Sequence, residues 1–245
     1  MGYKSDHRHQ RRLPAELIDT LSNSTLPDNS LPDSATDMTT TETTQPTTET
    51  TQRNCLLVVA NPEDDSFISD LADTASAAFS FAGWKVDTID LSDYNPAMTI
   101  EDRRAYHTDN PIVDPIVRSH ADMVLAAEAL VFVYPVVWGT LPALLKGWFD
   151  RTMVVGVALK LVNGKVKRNL TKIRKVAALA CDTSESRLPG TFHDGGKRLM
   201  KRTLTIITHP RCKSVYLQHR AIKAPGSGTD FKGKAALSLK KLAIT

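Results

Sequence analysis

Residues 130–151 change their hydrophobic periodicity twice within one short stretch, and this constrains the fold more than any other part of the chain. Leu130 to Tyr134 is a continuous run of aliphatic and aromatic residues, which is typical of a strand covered on both faces. After Pro135, apolar residues recur with the spacing of one helix face from Leu141 onward, so a helix is predicted with Thr140 as its N-cap. A strand, a loop and a helix in this order form half of a parallel α/β unit, whose ligands bind beyond the carboxyl ends of the strands.

The remaining elements follow from periodicity. Strands are predicted at Cys55–Ala60, Lys85–Leu91, Val176–Ala180 and Ser214–Leu217. Helices are predicted over Ser66–Ala82 and Lys197–Ile206, and a further helix ends within Asp122–Glu128. Strands that alternate with helices predict an α/β fold, namely a doubly wound parallel five-stranded sheet with helices on both faces. The alternation does not decide the order of the strands.

The first 53 residues differ in composition from the rest of the 245-residue chain. Residues 27–52 are dominated by Thr, Pro, Asp, Glu and Gln, and such a segment buries too little apolar surface to offset the chain entropy lost on folding. We therefore expect a disordered low-complexity extension at 1–53, one domain at 54–222, and a basic tail or helix at 223–245.

Several observations favour a cytoplasmic protein without a metal site. The basic residues near the start of the chain are not followed by the apolar segment of a secretory signal. The three cysteines lack the paired spacing of a disulfide framework or a zinc site. Residues 129–149 carry one charge, Lys146, but Pro135, Gly139 and Pro142 interrupt the stretch, which argues against a membrane span.

The loop after the first predicted strand is a candidate phosphate site. No G-x-G-x-x-G follows this strand and no G-x-x-x-x-G-K-[ST] occurs in the chain, so the usual cradles for a dinucleotide or a triphosphate are absent from the sequence. Instead, Ser66 stands where a helix begins, and the N–H groups there can bind a phosphate or pyrophosphate. On the residues alone, Ser66 can equally be an N-cap without a ligand.

Basic residues are concentrated towards the end of the chain. Residues 196–245 contain one acid, Asp230, against Lys197, Arg198, Lys201, Arg202, Arg211, Lys213, Arg220, Lys223, Lys232, Lys234, Lys240 and Lys241. Such a block can attract a phosphorylated cofactor or an anionic surface, or it can be a solvated helix face with a basic tail. Neither aromatic interleaving nor a nucleic-acid fold motif accompanies it, so no nucleic-acid partner is expected.

Two motifs resemble the flavodoxin-like NAD(P)H dehydrogenase (quinone) family, which includes bacterial drug-activity-modulator oxidoreductases and ancillary oxidoreductases of potassium efflux systems. In the first motif, Tyr134-Pro135 is followed by Trp138 and then by the run from Leu141 to Arg151. The second motif comprises residues 61–67, from Asn61-Pro62 to Ser66-Phe67, directly after the first strand. The resemblance covers residues 54–222 and implies a flavodoxin-like order of the strands.

The resemblance also implies a flavin, FAD or FMN, with NAD(P)H as co-substrate and a homodimeric assembly. The residues implied to contact the flavin are Asn61, Ser66, Phe67, Pro135, Val136, Val137, Trp138, Asp182 and Thr183. The flat ring of Trp138 and the main chain of Val136 and Val137 suit an isoalloxazine, although Trp138 can equally be an ordinary core residue. Relatives carry a Thr-Thr-x-Gly-like turn where this chain has residues 181–187, and His219 stands in place of an active-site aromatic.

Together, the motifs predict a flavin-dependent NAD(P)H:quinone oxidoreductase. It is expected to move two electrons, as hydride, from NAD(P)H by way of the flavin to a quinone or similar acceptor. His219 and Tyr216 are the candidate proton donors to the quinone oxygen. The alternative is a flavin-binding regulatory or ancillary protein with a membrane-transporter partner and little turnover, which the altered residues 181–187 and the basic C-terminal region favour.

Overall fold

The computed structural model describes residues 52–61, 66–105, 112–182, 194–220 and 226–245. Its strands are β1 (Asn54–Val59), β2 (Lys85–Asp90), β3 (Ala129–Pro135), β4 (Leu159–Val162), β5 (Lys165–Arg168), β6 (Lys175–Asp182) and β7 (Lys213–Arg220). Five of them form a parallel sheet in the spatial order β2-β1-β3-β6-β7, while β4 and β5 form a separate hairpin. The predicted doubly wound sheet is confirmed, and its order is the flavodoxin-like one.

The helices lie on both faces of this sheet. They are α1 (Phe67–Phe81), α2 (Ile100–Ala105), α3 (Pro115–Ala126), α4 (Ala143–Thr152), α5 (Asp194–Arg198), α6 (Leu204–Ile207) and α7 (Ser227–Ile244). A π-helical segment, Leu199–Thr203, joins α5 to α6, so that the helix predicted over 197–206 carries a local widening of its turns.

One face of the sheet is covered by α1 and α7. In α1, Leu71, Ala75 and Ala78 form the buried stripe, and the helix ends before Gly83, whose φ of 80° is readily adopted by glycine. The sequence predicted either a basic tail or a helix for the C-terminal region. The region forms helix α7, whose apolar face lies in the same core as α1. Because this face is buried against the sheet, α7 completes the core of this side.

The opposite face is covered by α3, α4 and the helix from α5 to α6. Asp114 caps α3 by accepting the N–H groups of Ile116 and Val117 at 2.8 and 3.3 Å. Trp148 of α4 is fully buried and packs edge-on to Phe149 at a centroid distance of 5.3 Å. The three-four spacing of the sequence therefore marks the buried side of α4 correctly.

Some local features differ from the sequence prediction, among them helix α2, which was not predicted. Helix α4 begins at Ala143 with Pro142 at its N-cap position, so the prediction of Thr140 as N-cap was wrong. The hairpin of β4 and β5 was not predicted, although Asn163-Gly164 is a strong type I′ turn signal. Both residues have positive φ, 50° and 70°. Among the described residues, no helix combines the length and the apolar character needed to cross a bilayer.

Candidate functional site

The candidate site lies at the carboxyl edge of the sheet, where β1, β3, β6 and β7 end side by side. The structure brings most of the predicted residues to this edge. Asn61, Ser66 and Phe67 follow β1, residues 135–138 end β3, and Asp182 ends β6. Thr183, which was predicted beside Asp182, lies outside the described residues.

The connection between β1 and α1 is organised around the hydroxyl of Ser66. Its oxygen accepts the N–H of Ser69 at 3.4 Å and an amide N–H of Asn61 at 2.8 Å. Asn61 itself is buried, so its amide braces the start of α1 from within. Because the oxygen acts as acceptor in both bonds, the Ser66 proton can be donated to an anion, together with the N–H groups of the first turn of α1.

A tight turn follows β3. Val137 and Thr140 exchange backbone hydrogen bonds at 3.1 and 3.0 Å, with Trp138 and Gly139 between them at φ values of 51° and 70°. Two central residues of positive φ define a type I′ turn, which is favourable for Gly139 and strained for Trp138. The Trp138 side chain is 98% exposed, so the alternative of an ordinary core residue is wrong. An exposed flat ring beside the end of β3 can contact a flat ligand.

The main-chain donors of this loop are partly engaged within the protein. The N–H of Val136 donates to the carbonyl of Cys181 at 2.7 Å, and the N–H of Val137 belongs to the turn. The donors expected from these two residues are therefore already bonded. The N–H groups of Trp138 and Gly139, at the centre of the turn, take no part in its two hydrogen bonds.

Two buried side chains end β6. Burial, with the neighbouring Asp182 carboxylate adding to it, raises the pKa of the Cys181 thiol to about 11. This thiol is therefore protonated near neutral pH and is a poor nucleophile. Asp182 is buried as well, and β6 pairs it in register with Arg220 of β7.

The two predicted proton donors lie on opposite faces of the sheet, because side chains three positions apart in a strand point to opposite sides. Tyr216 packs on the face covered by α3 and α4. The ring of His219 lies on the other face, 4.9 Å from that of Phe67 and 5.1 Å from that of Phe231, with Nδ1 3.9 Å from the Cys181 sulfur. The structure does not bring Tyr216 and His219 together.

The end of the first motif, Arg151, supports the scaffold. Arg151, which is buried, donates from Nε to Asp102 at 2.9 Å, from Nη2 to Asp114 at 2.7 Å and from Nη1 to the carbonyl of Asn95 at 2.9 Å. Partial burial alone would raise the pKa of Asp114, but hydrogen bonds from Arg151 and from two backbone N–H groups hold it below its ordinary value. The chain between β2 and α3 is therefore fastened to α4.

The packing of Gly147 explains another position of this motif. A Cβ atom on Gly147 would lie 2.2 Å from the carbonyl oxygen of Pro96, so this position of α4 requires glycine. The sequence analysis singled out the Gly-Trp-Phe-Asp-Arg run as a motif. The roles of this run in packing and ion pairing could not be predicted, because they depend on the residues that it contacts in the fold.

The strand order and the loops at the carboxyl edge define a flavodoxin-like protein. A family model described as flavodoxin-like fold matches residues 53–186, more than half of the chain, and the chain belongs to that family.

Particular relatives are oxidoreductases. The chain is 29% identical over 123 residues to NAD(P)H dehydrogenase [quinone] 1 of Rattus norvegicus, a match that covers 43% of this chain and 45% of the relative. The chain spans less than two thirds of the length of the curated relatives it matches.

Solved structures share the fold. NAD(P)H:quinone oxidoreductase from Methanothermobacter marburgensis has a TM-score of 0.62 at 20% identity, over 78% of this chain and 97% of that one. An FMN-dependent NADH-azoreductase from Bacillus anthracis, in complex with FMN, has a TM-score of 0.59 at 14% identity, over 78% of this chain and 98% of that one.

Proposed function

We propose that this protein is a flavin-dependent NAD(P)H:quinone oxidoreductase. The observation that carries the proposal is the pairing, at one edge of the sheet, of a capped helix N-terminus with an exposed tryptophan on a tight turn. The first suits a phosphate and the second suits a flat ring. Membership of the flavodoxin-like family and relatives named as quinone dehydrogenases support the same function.

A bound flavin supplies reversible two-electron hydride chemistry, and this chain's residues would hold it. The Ser66 hydroxyl and the N–H of Phe67 would bind the phosphate end, while the ring of Phe67 remains packed on His219. Pro135, Val136, Val137 and the ring of Trp138 would line the isoalloxazine. The N–H groups of Trp138 and Gly139 would donate to its polar edge, which stabilises negative charge on the reduced ring.

Tyr216 is the better candidate for proton donation to a quinone oxygen. The imidazole of His219 is enclosed by Phe67, Phe231 and Cys181, whereas the Tyr216 hydroxyl lies beside that of Tyr134, on the face of the sheet where Gly196 approaches the end of β3. We expect Tyr216→Phe to lower kcat for a quinone while leaving flavin affinity unchanged, and His219→Gln to change kcat less. The opposite ranking in stopped-flow reduction of a quinone would assign the proton to His219.

We propose FAD or FMN as the flavin, a quinone or similar flat electrophile as acceptor, a homodimer as the assembly and the cytoplasm as the location. We also propose that residues 54–222, with α7 packed on the same sheet, form the flavin-binding domain and that residues 1–53 are an extension that flavin binding does not need.

The deciding experiment uses the purified full chain. Absorbance in the flavin bands should appear after loading with FMN or FAD, and anaerobic addition of NADPH should bleach it, with recovery when a quinone is added. Failure to bind either flavin would overturn the proposal. Binding without bleaching by NADPH or NADH would favour the regulatory protein of a membrane transporter, which the basic residues after position 196 also suit.

A further inference from the structure

The start of helix α5 rests directly on the turn that ends β3. A Cβ atom added to Gly195 would lie 2.8 Å from Oγ1 of Thr140, 3.1 Å from its Cβ and 3.5 Å from the carbonyl oxygen of Gly139. At such distances an alanine has to displace the neighbouring residue. The backbone of Gly195 therefore lies so close to the turn that a side chain does not fit between them without a shift.

Gly196 makes an equally close contact with the end of β3. A Cβ atom there would lie 2.8 Å from the Tyr134 hydroxyl and 3.5 Å from the Tyr216 hydroxyl. The two tyrosines flank β6, where the register places Ala180 opposite Tyr134 and Ala178 opposite Tyr216. Small side chains on β6 thus leave space for the two phenol groups beneath Gly196.

The turn itself is largely exposed, between Val136, which is partly buried, and Leu141, which is buried in the core. The ring of Trp138 is almost wholly exposed and buries no surface that could anchor the turn. The Val136 N–H bond to Cys181 fixes the base of the loop, but the hydrogen bonds between Val137 and Thr140 lie within the turn itself. Gly195 meets the turn from outside, at its Thr140 end.

We propose that Gly195 and Gly196 are positioning residues, whose close contact with Thr140 and Tyr134 sets where the Trp138–Gly139 turn lies relative to the end of β1. This inference rests on the proposed flavin function, since the turn and the start of α1 would hold the two ends of one cofactor. A small displacement of the turn changes the distance between those ends, and a rigid ligand then binds less well.

The test compares Gly195→Ala and Gly196→Ala with Gly233→Ala in the full chain. Gly233 is also helical but has no neighbouring atom within 4 Å of an added Cβ. We expect each of the first two variants to lose about tenfold in affinity for FMN or FAD, and Gly233→Ala to lose none. Hydrogen exchange of residues 134–142 without flavin should quicken in the first two variants only.

Rescue distinguishes a specific contact from general destabilisation. Thr140→Ala removes the atom nearest to the new Cβ of Gly195→Ala, and Tyr134→Phe removes the atom nearest to that of Gly196→Ala. Each double variant should regain most of the lost flavin affinity and the slow exchange of the turn. If one glycine variant does not fold, the other pair carries the test.

Wild-type affinity and exchange in both glycine variants, or losses that the paired substitutions do not restore, would overturn the inference. A wild-type chain that binds no flavin would instead overturn the proposed function. The exchange rates of residues 134–142 would then decide the positioning role by themselves, because they are measured without a cofactor.

Discussion

At the amino edge of the sheet Trp84 is buried and its Nε1 donates to the carbonyl of Ala243 at 3.1 Å, whereas at the carboxyl edge Trp138 is 98% exposed. Lys175 also donates to a carbonyl of the last turn of α7, that of Leu242, and the Arg53 guanidinium lies 4.3 Å from the centre of the Trp84 ring. The amino edge thus satisfies the carbonyl groups that a helix end leaves open. The carboxyl edge exposes donors and a flat ring, as a binding site requires.

The largest expected effect is on the buried tryptophan. Trp84→Ala should lower the free energy of unfolding by about 3–5 kcal/mol, since it removes a fully packed ring and leaves the Ala243 carbonyl without its donor. Urea unfolding followed by circular dichroism measures this change. Flavin affinity of the folded fraction should stay at the wild-type value, because Trp84 lies at the opposite edge.

Trp138→Ala is the matched control, and it should affect flavin binding but not stability. An exposed side chain contributes little to folding, so its stability should stay within about 0.5 kcal/mol of wild type. Its flavin affinity should fall. Equal losses of stability in the two variants would contradict the comparison between the edges.

A charge at the start of α1 should affect binding without affecting the fold. Ser66→Asp and Ser66→Asn are nearly isosteric and both residues are good N-caps, so the two variants should be about equally stable. The aspartate should weaken FMN binding by ~10- to 100-fold through repulsion of the phosphate, and the asparagine by much less. Fluorescence titration measures both.

Riboflavin, which lacks the phosphate, supplies the control for this pair. It should bind the two variants with similar affinity, because the carboxylate then meets no opposing charge. If the aspartate weakens riboflavin and FMN binding alike, the phosphate does not lie at Ser66.

Periodicity predicted the sheet well, because burial on two faces leaves a signal within each strand. It predicted the edge of the sheet less well. Thr140 has the chemistry of an N-cap, yet it closes a turn in which Trp138 has a positive φ, a conformation that its residue type does not predict. Gly195 and Gly196 carried no signal at all. Their role depends on contacts with Thr140 and Tyr134, which lie more than fifty residues earlier in the chain. Only the folded structure shows that these residues come together.

A smaller effect is expected for the choice of reductant. Lys197 and Lys201 are four residues apart, as are Arg198 and Arg202, and all four are exposed. Like charges at that spacing repel one another and disfavour a helix. An anion bound near these four side chains would relieve the repulsion. We expect the 2′-phosphate of NADPH to gain ~1–2 kcal/mol over NADH in kcat/KM, or about tenfold, and less at high salt.

Lys201→Gln with Arg202→Gln should remove most of this preference. Lys234→Gln, an exposed lysine of α7, is the control and should retain it. Equal kcat/KM for NADPH and NADH in the wild-type protein at low ionic strength would identify these residues as a solvated helix face.

The smallest expected effect concerns the amino edge itself. The composition of residues 27–52 has no core-forming pattern, so a chain that starts at Arg53 should keep the melting temperature and flavin content of the full chain. A loss of several degrees would show that the removed residues stabilise the domain. In the full chain, Arg53→Met removes the cation over the Trp84 ring and should cost about 0.5–1 kcal/mol of stability. That cost should vanish when Trp84 is also replaced by alanine, since the double-mutant cycle then contains no ring for the guanidinium to contact.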